Sequence, residues 1–491
     1  MKHLVPITAL CLLAAGCAPS ARIERPPLGA ISIPMSASPY EALKVGIDTL
    51  LADSLFPPSG AGIKVVSLDR NETLYELNPH ALFNPASNQK LFTSFAALNY
   101  LGEDFLLSTV VRVDTARRLI SVQGRGDPLL SSSDLDSIAR TLLPLLPPLP
   151  AGRGWTLACD VSYFDDVWWG SGWAWDHEPD YYAPFITPLI LDRNTVQVTV
   201  SPADSVMSPA AVVISPPTAY VSLENSAVTV SDSVTVPLRI SRRWRERSNT
   251  LTVTGQIRQG TRREQDELSV WQPERYAATV LAERLRALGT RVDSIAIDTS
   301  GTGASPAVVY SHRLDSAITV FDKISDNLTG EVLLKIMAAE RLGVPGTTEG
   351  GITLMNRLLA WQGTDTTKIV IADGSGLSRY NLTSPATVVR LLEHMYRDTV
   401  HFPAFYHALP IAGVDGTIRN RMRGTLAEGN LRAKTGTLGA VSALSGYTRT
   451  RDGEMLAFSI LMQNFPGGSY RYRLTQDRIG ILLSGLRRED F

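Results

Sequence analysis

Several residue types that announce particular kinds of protein are scarce in this chain. Three cysteines occur in 491 residues, at Cys11, Cys17 and Cys159. The first two fall in an apolar leader, so Cys159 stands alone in the body and has no intramolecular disulfide partner there. Seven scattered histidines and no zinc-type Cys/His spacing leave no metal cluster, and no cofactor is expected. An excess of one charge is also missing: 47 basic residues meet 48 acidic ones. That balance excludes the basic surplus of a nucleic-acid binder and the acidic run of a disordered tail. Lysine is rare, eight of the 47 basic residues, so the positions where it does occur are informative. Beyond the leader, no apolar run is long enough to cross a bilayer as a helix. What is present is an ordinary 44% of hydrophobic residues, on a chain too long for one core, which implies two or three domains.

The leader reads as an export signal. Met1-Lys2-His3 is a short polar start, and Leu4 to Ala15 is apolar but too short to span a membrane. It ends in Leu13-Ala14-Ala15-Gly16-Cys17. Small residues just before a cysteine resemble a lipoprotein signal, 1–17, with Cys17 becoming the lipidated first residue of the mature chain. An ordinary secretory signal with a chance cysteine is the other reading. Residues 18–39 carry five prolines and no apolar period, which suits a tether. Ala18 after Cys17 leans toward the outer membrane, so the chain is expected to be exported, periplasmic and held at a membrane only by lipid.

Residues 61–77 alternate around Asp69-Arg70-Asn71 and predict a β-hairpin. After Ser87, the residues Leu91, Phe92, Phe95, Leu98 and Leu101 follow a helical period and stop at Gly102. Between about 110 and 300 the texture becomes short β runs: Val196–Val200, Ala227–Val230, Val234–Ile240, Leu251–Val253. A helix, Pro273 to Leu288, closes that stretch. Trp168 to Trp175 holds four tryptophans. Such a cluster is a sugar-stacking surface or, more commonly, core or interface packing. Helical periods return at Leu328–Leu342, Thr347–Trp361 and Ser384–Tyr396. Two strands, Leu431–Thr448 and Met455–Gln463, precede a last helix, Tyr470–Leu486. The pattern is α/β (α+β): one domain split by a long, mostly β insertion.

Three short motifs occur in order: Ser87-Asn88-Gln89-Lys90, Ser325-Asp326-Asn327 and Lys434-Thr435-Gly436. Together they are the set used by β-lactamases and penicillin-binding proteins. Each is weak alone, but all three in order arise by chance in roughly one chain in a hundred of this length. Ser87 and Lys90 share a helix face, so the amine can reach the hydroxyl. A serine hydroxyl is a poor nucleophile without a base. Lysine serves when burial or a nearby cation, here Lys434, lowers its pKa; arginine could not. A helix N-terminus leaves the Ser87 N–H free for an oxyanion, and Thr437 on an edge strand is the natural second donor. Ser325 relays protons to the leaving nitrogen, and Asn327 fixes Lys90 and a substrate amide. Lys434, Thr435 and Thr437, strung along Lys434-Thr435-Gly436-Thr437, hold a terminal carboxylate. The blander readings are that Asp326-Asn327 caps a helix and that the Lys-Thr-Gly stretch is a turn.

The chain resembles the low-molecular-mass class C penicillin-binding proteins, the D-alanyl-D-alanine carboxypeptidase/endopeptidase family, over nearly all of its mature length. Pro85-Ala86-Ser87-Asn88-Gln89-Lys90, Gly124-Arg125-Gly126-Asp127-Pro128, Ser325-Asp326-Asn327 with Glu331, Asp373-Gly374-Ser375-Gly376-Leu377-Ser378-Arg379, Gly413-Val414-Asp415-Gly416-Thr417 and Lys434-Thr435-Gly436-Thr437 carry the resemblance. The 238 residues from Ser87 to Ser325 match the long insertion of that class. The resemblance implies a β-lactamase/transpeptidase-like catalytic domain, 40–110 and 303–491. It also implies an inserted domain II, 111–136 and 220–302, and a nested domain III, 137–219. It implies hydrolysis of peptidoglycan stem peptides through an acyl-enzyme, with β-lactams as covalent inhibitors. Arg379 is similar to the position pairing with the carboxylate of the stem diamino acid, Leu438 to the pocket wall, and Asp160 to a residue binding the side-chain amine. Two other functions compete: a β-lactamase, and a non-catalytic peptidoglycan-binding lipoprotein. No Glu-x-x-Leu-Asn pattern lies between Asn327 and Lys434, which counts against a class A β-lactamase.

Overall fold

The computed structural model describes residues 39–488 except 54–55, 57–58, 148–151 and 299–303. The signal 1–17, Cys17 and the tether up to residue 38 lie outside the described residues. Among the described residues, no helix is long and apolar enough to cross a membrane.

The two ends of the chain build one antiparallel sheet, in the order Arg432–Leu438, Val441–Arg449, Met455–Gln463, Gly60–Ser67, Glu72–Leu77. Its central strands are buried along almost their whole length. Alternate residues face opposite ways along a strand, so both faces need cover. Val65, Leu444, Phe458 and Ile460 pack with Leu43, Ile47, Ile479 and Leu483 of the terminal helices Pro39–Leu51 and Tyr470–Gly485. Val66, Tyr447 and Ala457 face the other way, toward helices Gln89–Leu101, Asn327–Leu342 and Pro385–Arg397. Leu91, Phe92, Phe95 and Leu98 of the first of these are at most 1% exposed. Burial of such side chains is worth about 2 kcal/mol each, so this helix is anchored from its first turn.

The run Leu431–Thr448 is two strands rather than one. Gly439-Ala440, with Ala440 at φ 59°, makes a hairpin turn between them. The apolar pattern continues on both sides and masks the break, leaving one glycine as the signal. Likewise only the last two residues of the expected strand Val234–Ile240 lie in a strand, Arg239–Arg242. Pro237, which has no N–H to donate, sits just ahead of it.

The insertion begins and ends with strands that belong to it. Its main sheet runs Val292–Ile297, Trp155–Asp160, Leu119–Gly124, Leu106–Asp114, Pro306–Arg313. Helices Ser132–Leu142 and Pro273–Ala287 cover it. A second unit of short strands, from Thr195–Ser201 to Glu264–Ser269, completes the insertion. The strand pairing runs across the boundaries of the expected division. Trp155–Asp160, assigned to 137–219, lies in the main sheet. Glu264–Ser269, assigned to 220–302, pairs with Thr195–Ser201, which in turn pairs with Ala211–Ser215, while the strands between 222 and 258 pair among themselves. Strand spacing alone does not say which neighbours pair, and the parallel partners here are distant in sequence.

Candidate active site

Ser87 sits in a single 3-10 turn, Ala86–Asn88, that leads directly into helix Gln89–Leu101. Three segments lock that turn. Asn84 accepts from the Ala86 N–H at 2.8 Å and donates to the carbonyls of Arg379 and Asn381 at 3.1 Å. Asn88 donates to the Lys434 carbonyl at 2.9 Å. Gly376, at φ +82°, lies so close that a Cβ there would stand 1.9 Å from the Ala86 carbonyl oxygen. Gly436 plays a similar part: a Cβ on it would fall 2.7 Å from the Pro85 carbonyl and 3.0 Å from the Ser87 nitrogen. Only glycine lets the strand run this close to the serine.

The Lys90 ammonium nitrogen reaches Ser87 Oγ at 3.2 Å, Asn327 Oδ1 at 2.6 Å and the Ser375 carbonyl at 2.6 Å. Those three contacts account for the donors of a protonated amine. Once neutral, the same nitrogen holds a lone pair within reach of the serine hydroxyl. Complete burial lowers the Lys90 pKa to about 8, although Asp373, Asp326, Asp322 and Glu331 pull the other way. Lys434 donates to Ser325 Oγ at 2.9 Å. Burial, and then the charge on Lys90, push the Lys434 pKa down, with Asp322 opposing. The two buried amines therefore share one electrostatic environment, as the expected lysine pair requires.

Ser325 closes helix Leu314–Ile324 in a left-handed conformation, φ 62°, which turns its hydroxyl to Lys434. Asp326 caps the next helix by accepting from the Thr329 N–H at 2.8 Å. The capping reading is thus right for Asp326, while Asn327 points into the site. Asn327 also donates to the Tyr182 carbonyl at 2.7 Å and so ties the insertion to the dyad. Strand Arg432–Leu438 is the sheet edge, and beyond Ala433 no described strand pairs with its outer side. Thr435 and Thr437 lie on this edge. Thr435 Oγ1 donates to Thr417 Oγ1 at 2.8 Å, which brings in the Gly413–Thr417 motif.

A cleft of about 720 Å³ joins these groups: Ser87, Ser325, Asn327, Thr435, Thr437 and Leu438 line it. Arg379 lines its outer end and donates twice to the Gly439 carbonyl at 3.2 Å. Lys90 and Lys434 lie beneath it, fully buried. Asp160 is the exception. It ends a strand of the insertion sheet, where it accepts from the Ser162 N–H, the Ser162 hydroxyl and the Gln123 amide at 3.0, 2.6 and 3.0 Å. An Asp two residues before a Ser at a strand end closes a local turn and does not reach outward. The insertion instead contributes His177, Tyr181 and Tyr182 to the cleft.

Sequence reasoning missed Asp322 and the cleft residues Arg421 and Arg473. Asp322 is wholly buried and accepts from Ser94 Oγ at 2.8 Å; burial raises its carboxyl pKa, against the charge of Lys434. Its signal was available: Leu314, Ala317, Ile318 and Phe321 form the buried stripe of its helix, and Asp322 falls on that stripe. The role of Glu331 was also not visible. Its Oε1 accepts from the N–H groups of Gly374 and Ser375 at 3.1 and 2.9 Å, bracing the carbonyl that holds Lys90. Burial, helped by the charge of Asp373, raises its pKa to about 8.

The chain is similar to known proteins over most of its length. The family described as D-Ala-D-Ala carboxypeptidase 3 (S13) matches residues 43–479. A D-alanyl-D-alanine carboxypeptidase of Actinomadura sp. (strain R39) is 35% identical over 456 residues, covering 87% of this chain and 81% of that protein. The D-alanyl-D-alanine carboxypeptidase DacB of Haemophilus influenzae is 26% identical over 438 residues, covering 85% and 88%. The crystal structure of penicillin binding protein 4 (dacB) from Haemophilus influenzae superposes with a TM-score of 0.75 at 23% identity, over 89% of this chain and 99% of that one. The chain belongs to the S13 family of D-Ala-D-Ala carboxypeptidases, which are serine peptidases.

Proposed function

We propose that this protein cleaves D-alanyl peptide bonds in peptidoglycan stem peptides, as a carboxypeptidase and D,D-endopeptidase, through an acyl-enzyme on Ser87. The observation that carries this reading is the buried Lys90 amine, 3.2 Å from Ser87 Oγ and held by Asn327. Ser87 Oγ attacks the penultimate D-Ala carbonyl carbon while Lys90 takes its proton. Negative charge on the carbonyl oxygen is met by the N–H groups of Ser87 and Thr437. The C–N bond then breaks as Ser325, bonded to Lys434, gives its proton to the departing nitrogen and is reprotonated by the proton Lys90 took up, so that Lys90 is neutral again. Water hydrolyses the ester and frees Ser87. When the departing amine is D-Ala the step is a carboxypeptidase reaction; when it belongs to a cross-link, an endopeptidase reaction. Thr435, Thr437 and Lys434 face the terminal carboxylate, and Arg379 beside Leu438 meets the charged end of the stem side chain.

β-Lactams follow the same attack and stop at the ester. Labelled penicillin is expected to mark the wild type and leave Ser87→Ala unmarked; labelling of that variant at another residue would refute the assignment. A β-lactam complex is known for the related penicillin binding protein 4. The leader supports export and acylation of Cys17, with the body held in the periplasm at the outer membrane. Mass spectrometry of the mature N-terminus tests this: a diacylglyceryl Cys17 is expected, and an unmodified new N-terminus contradicts it.

A further inference from the structure

The tryptophan cluster is only partly consumed by packing. Trp168, Phe185 and Trp271 interlock edge to face, with Trp271 centroids 5.5 Å from Trp168 and 5.1 Å from Phe185. That much is interface packing. Trp175, however, is 72% exposed and Trp169 45%. Trp175 stands 5.7 Å from Trp244, which arrives from the second unit of the insertion. Arg245 lies over Trp244 at 5.0 Å and Arg247 over Trp271 at 5.2 Å. Trp169, Trp175, Trp244 and Trp271, with Arg245, Arg247 and Glu178, line a pocket of about 380 Å³. It abuts the catalytic cleft, since Ala174 and His177 line both. Trp173, also in its wall, donates to Asp373 at 3.1 Å and so fixes the pocket to the loop that holds Lys90.

We propose that this pocket is a saccharide subsite, which takes an N-acetylated hexosamine of the glycan strand while the attached stem peptide lies in the catalytic cleft. The proposal rests on the peptidoglycan reading above. A pyranose ring has one apolar C–H face and a belt of hydroxyl and acetamido groups. Flat tryptophan faces suit the first, and guanidinium donors with a carboxylate acceptor suit the second. The pocket's size lies within the range of small-ligand sites. Two exposed tryptophans, Trp169 and Trp175, backed by the part-buried Trp173, Trp244 and Trp271 beside the cleft, also mark a recognition surface. Glu178 is held by the buried Arg242, so the polar wall is set in place before any ligand arrives.

The test uses the full chain carrying Ser87→Ala, titrated by calorimetry with a disaccharide-pentapeptide and with the same pentapeptide lacking sugar. The sugar-bearing ligand is expected to bind about tenfold tighter, the scale of one or two aromatic contacts. Trp175→Ala or Trp244→Ala should erase that difference and leave the sugar-free peptide unchanged. Trp175 is exposed, so its loss leaves the fold intact. Equal binding of the two ligands, or equal weakening of both by the tryptophan variants, would overturn the proposal. Quenching of tryptophan fluorescence by a soluble N-acetylglucosamine tetramer separates the two readings. Quenching that disappears in Trp175→Ala supports the subsite even if no peptide is cleaved, and its absence in the parent protein counts against it.

Discussion

The floor and the rim of the cleft are built on opposite principles. Lys90, Lys434, Asp322 and Glu331 form the floor, and all four are fully buried. Arg379, Tyr380 and Tyr181 form the rim, and each is exposed. A buried group has its protonation set by its surroundings: burial depresses the amines and raises the carboxyls. A solvated group keeps its charge and adapts its position. The difference teaches where each task resides. Bond-making is assigned to groups that cannot move, and substrate selection to groups that meet the ligand in water.

Substitutions can break or sharpen that contrast. The largest effect belongs to the floor. Lys90→Arg keeps a cation but has no accessible neutral form, and penicillin acylation should fall about a thousandfold, within the usual worth of a general base. Near-normal acylation would mean that Lys90 only binds charge. Next is Gly376→Ala, whose added Cβ would meet the Ala86 carbonyl at 1.9 Å. It should cost about 3 kcal/mol in chemical denaturation and slow acylation as well, since overpacking against backbone cannot relax cheaply. Glu331→Ala strands two buried N–H groups and should destabilise by about 2 to 4 kcal/mol, while Glu331→Gln, which still accepts at Oε1, should stay within about 1 kcal/mol. At the rim, Arg379→Ala should raise KM about tenfold for a stem peptide with a charged side chain, and leave penicillin acylation unchanged. Smallest of all, Asp160→Asn should alter peptide kinetics less than about twofold, because its contacts are internal to the insertion.

The same contrast governs what could be read from sequence. The floor was legible where its groups sit in short, fixed spacings. Ser87 and Lys90 share a helix turn, Ser325 and Asn327 flank a helix start, and Lys434 to Leu438 lie on one strand. Helical and strand periods gave the elements that carry them, including Met455–Gln463 to the residue. What spacing did not reveal is pairing across long separations. Asp160 sits at the end of a strand whose partners are Leu119–Gly124 and Val292–Ile297, and no local pattern announces that. The rim suffered most: Tyr182 and Trp244 reach the region through an insertion whose strands pair out of order. Asp322 was a different failure, since its place in an apolar stripe was visible and was not used.

The account turns on a neutral amine taking the proton of Ser87, and the pH dependence of acylation tests that directly. With the Lys90 pKa near 8, the fraction of neutral amine grows as pH rises through that value and shrinks about tenfold per unit below it. Stopped-flow rates of penicillin acylation should therefore climb to a plateau above about pH 8, and Lys90→Arg should lose the slope together with the rate. A flat profile in the wild type between about pH 6 and 9, or an unchanged slope in Lys90→Arg, would contradict the assignment of Lys90 as the base.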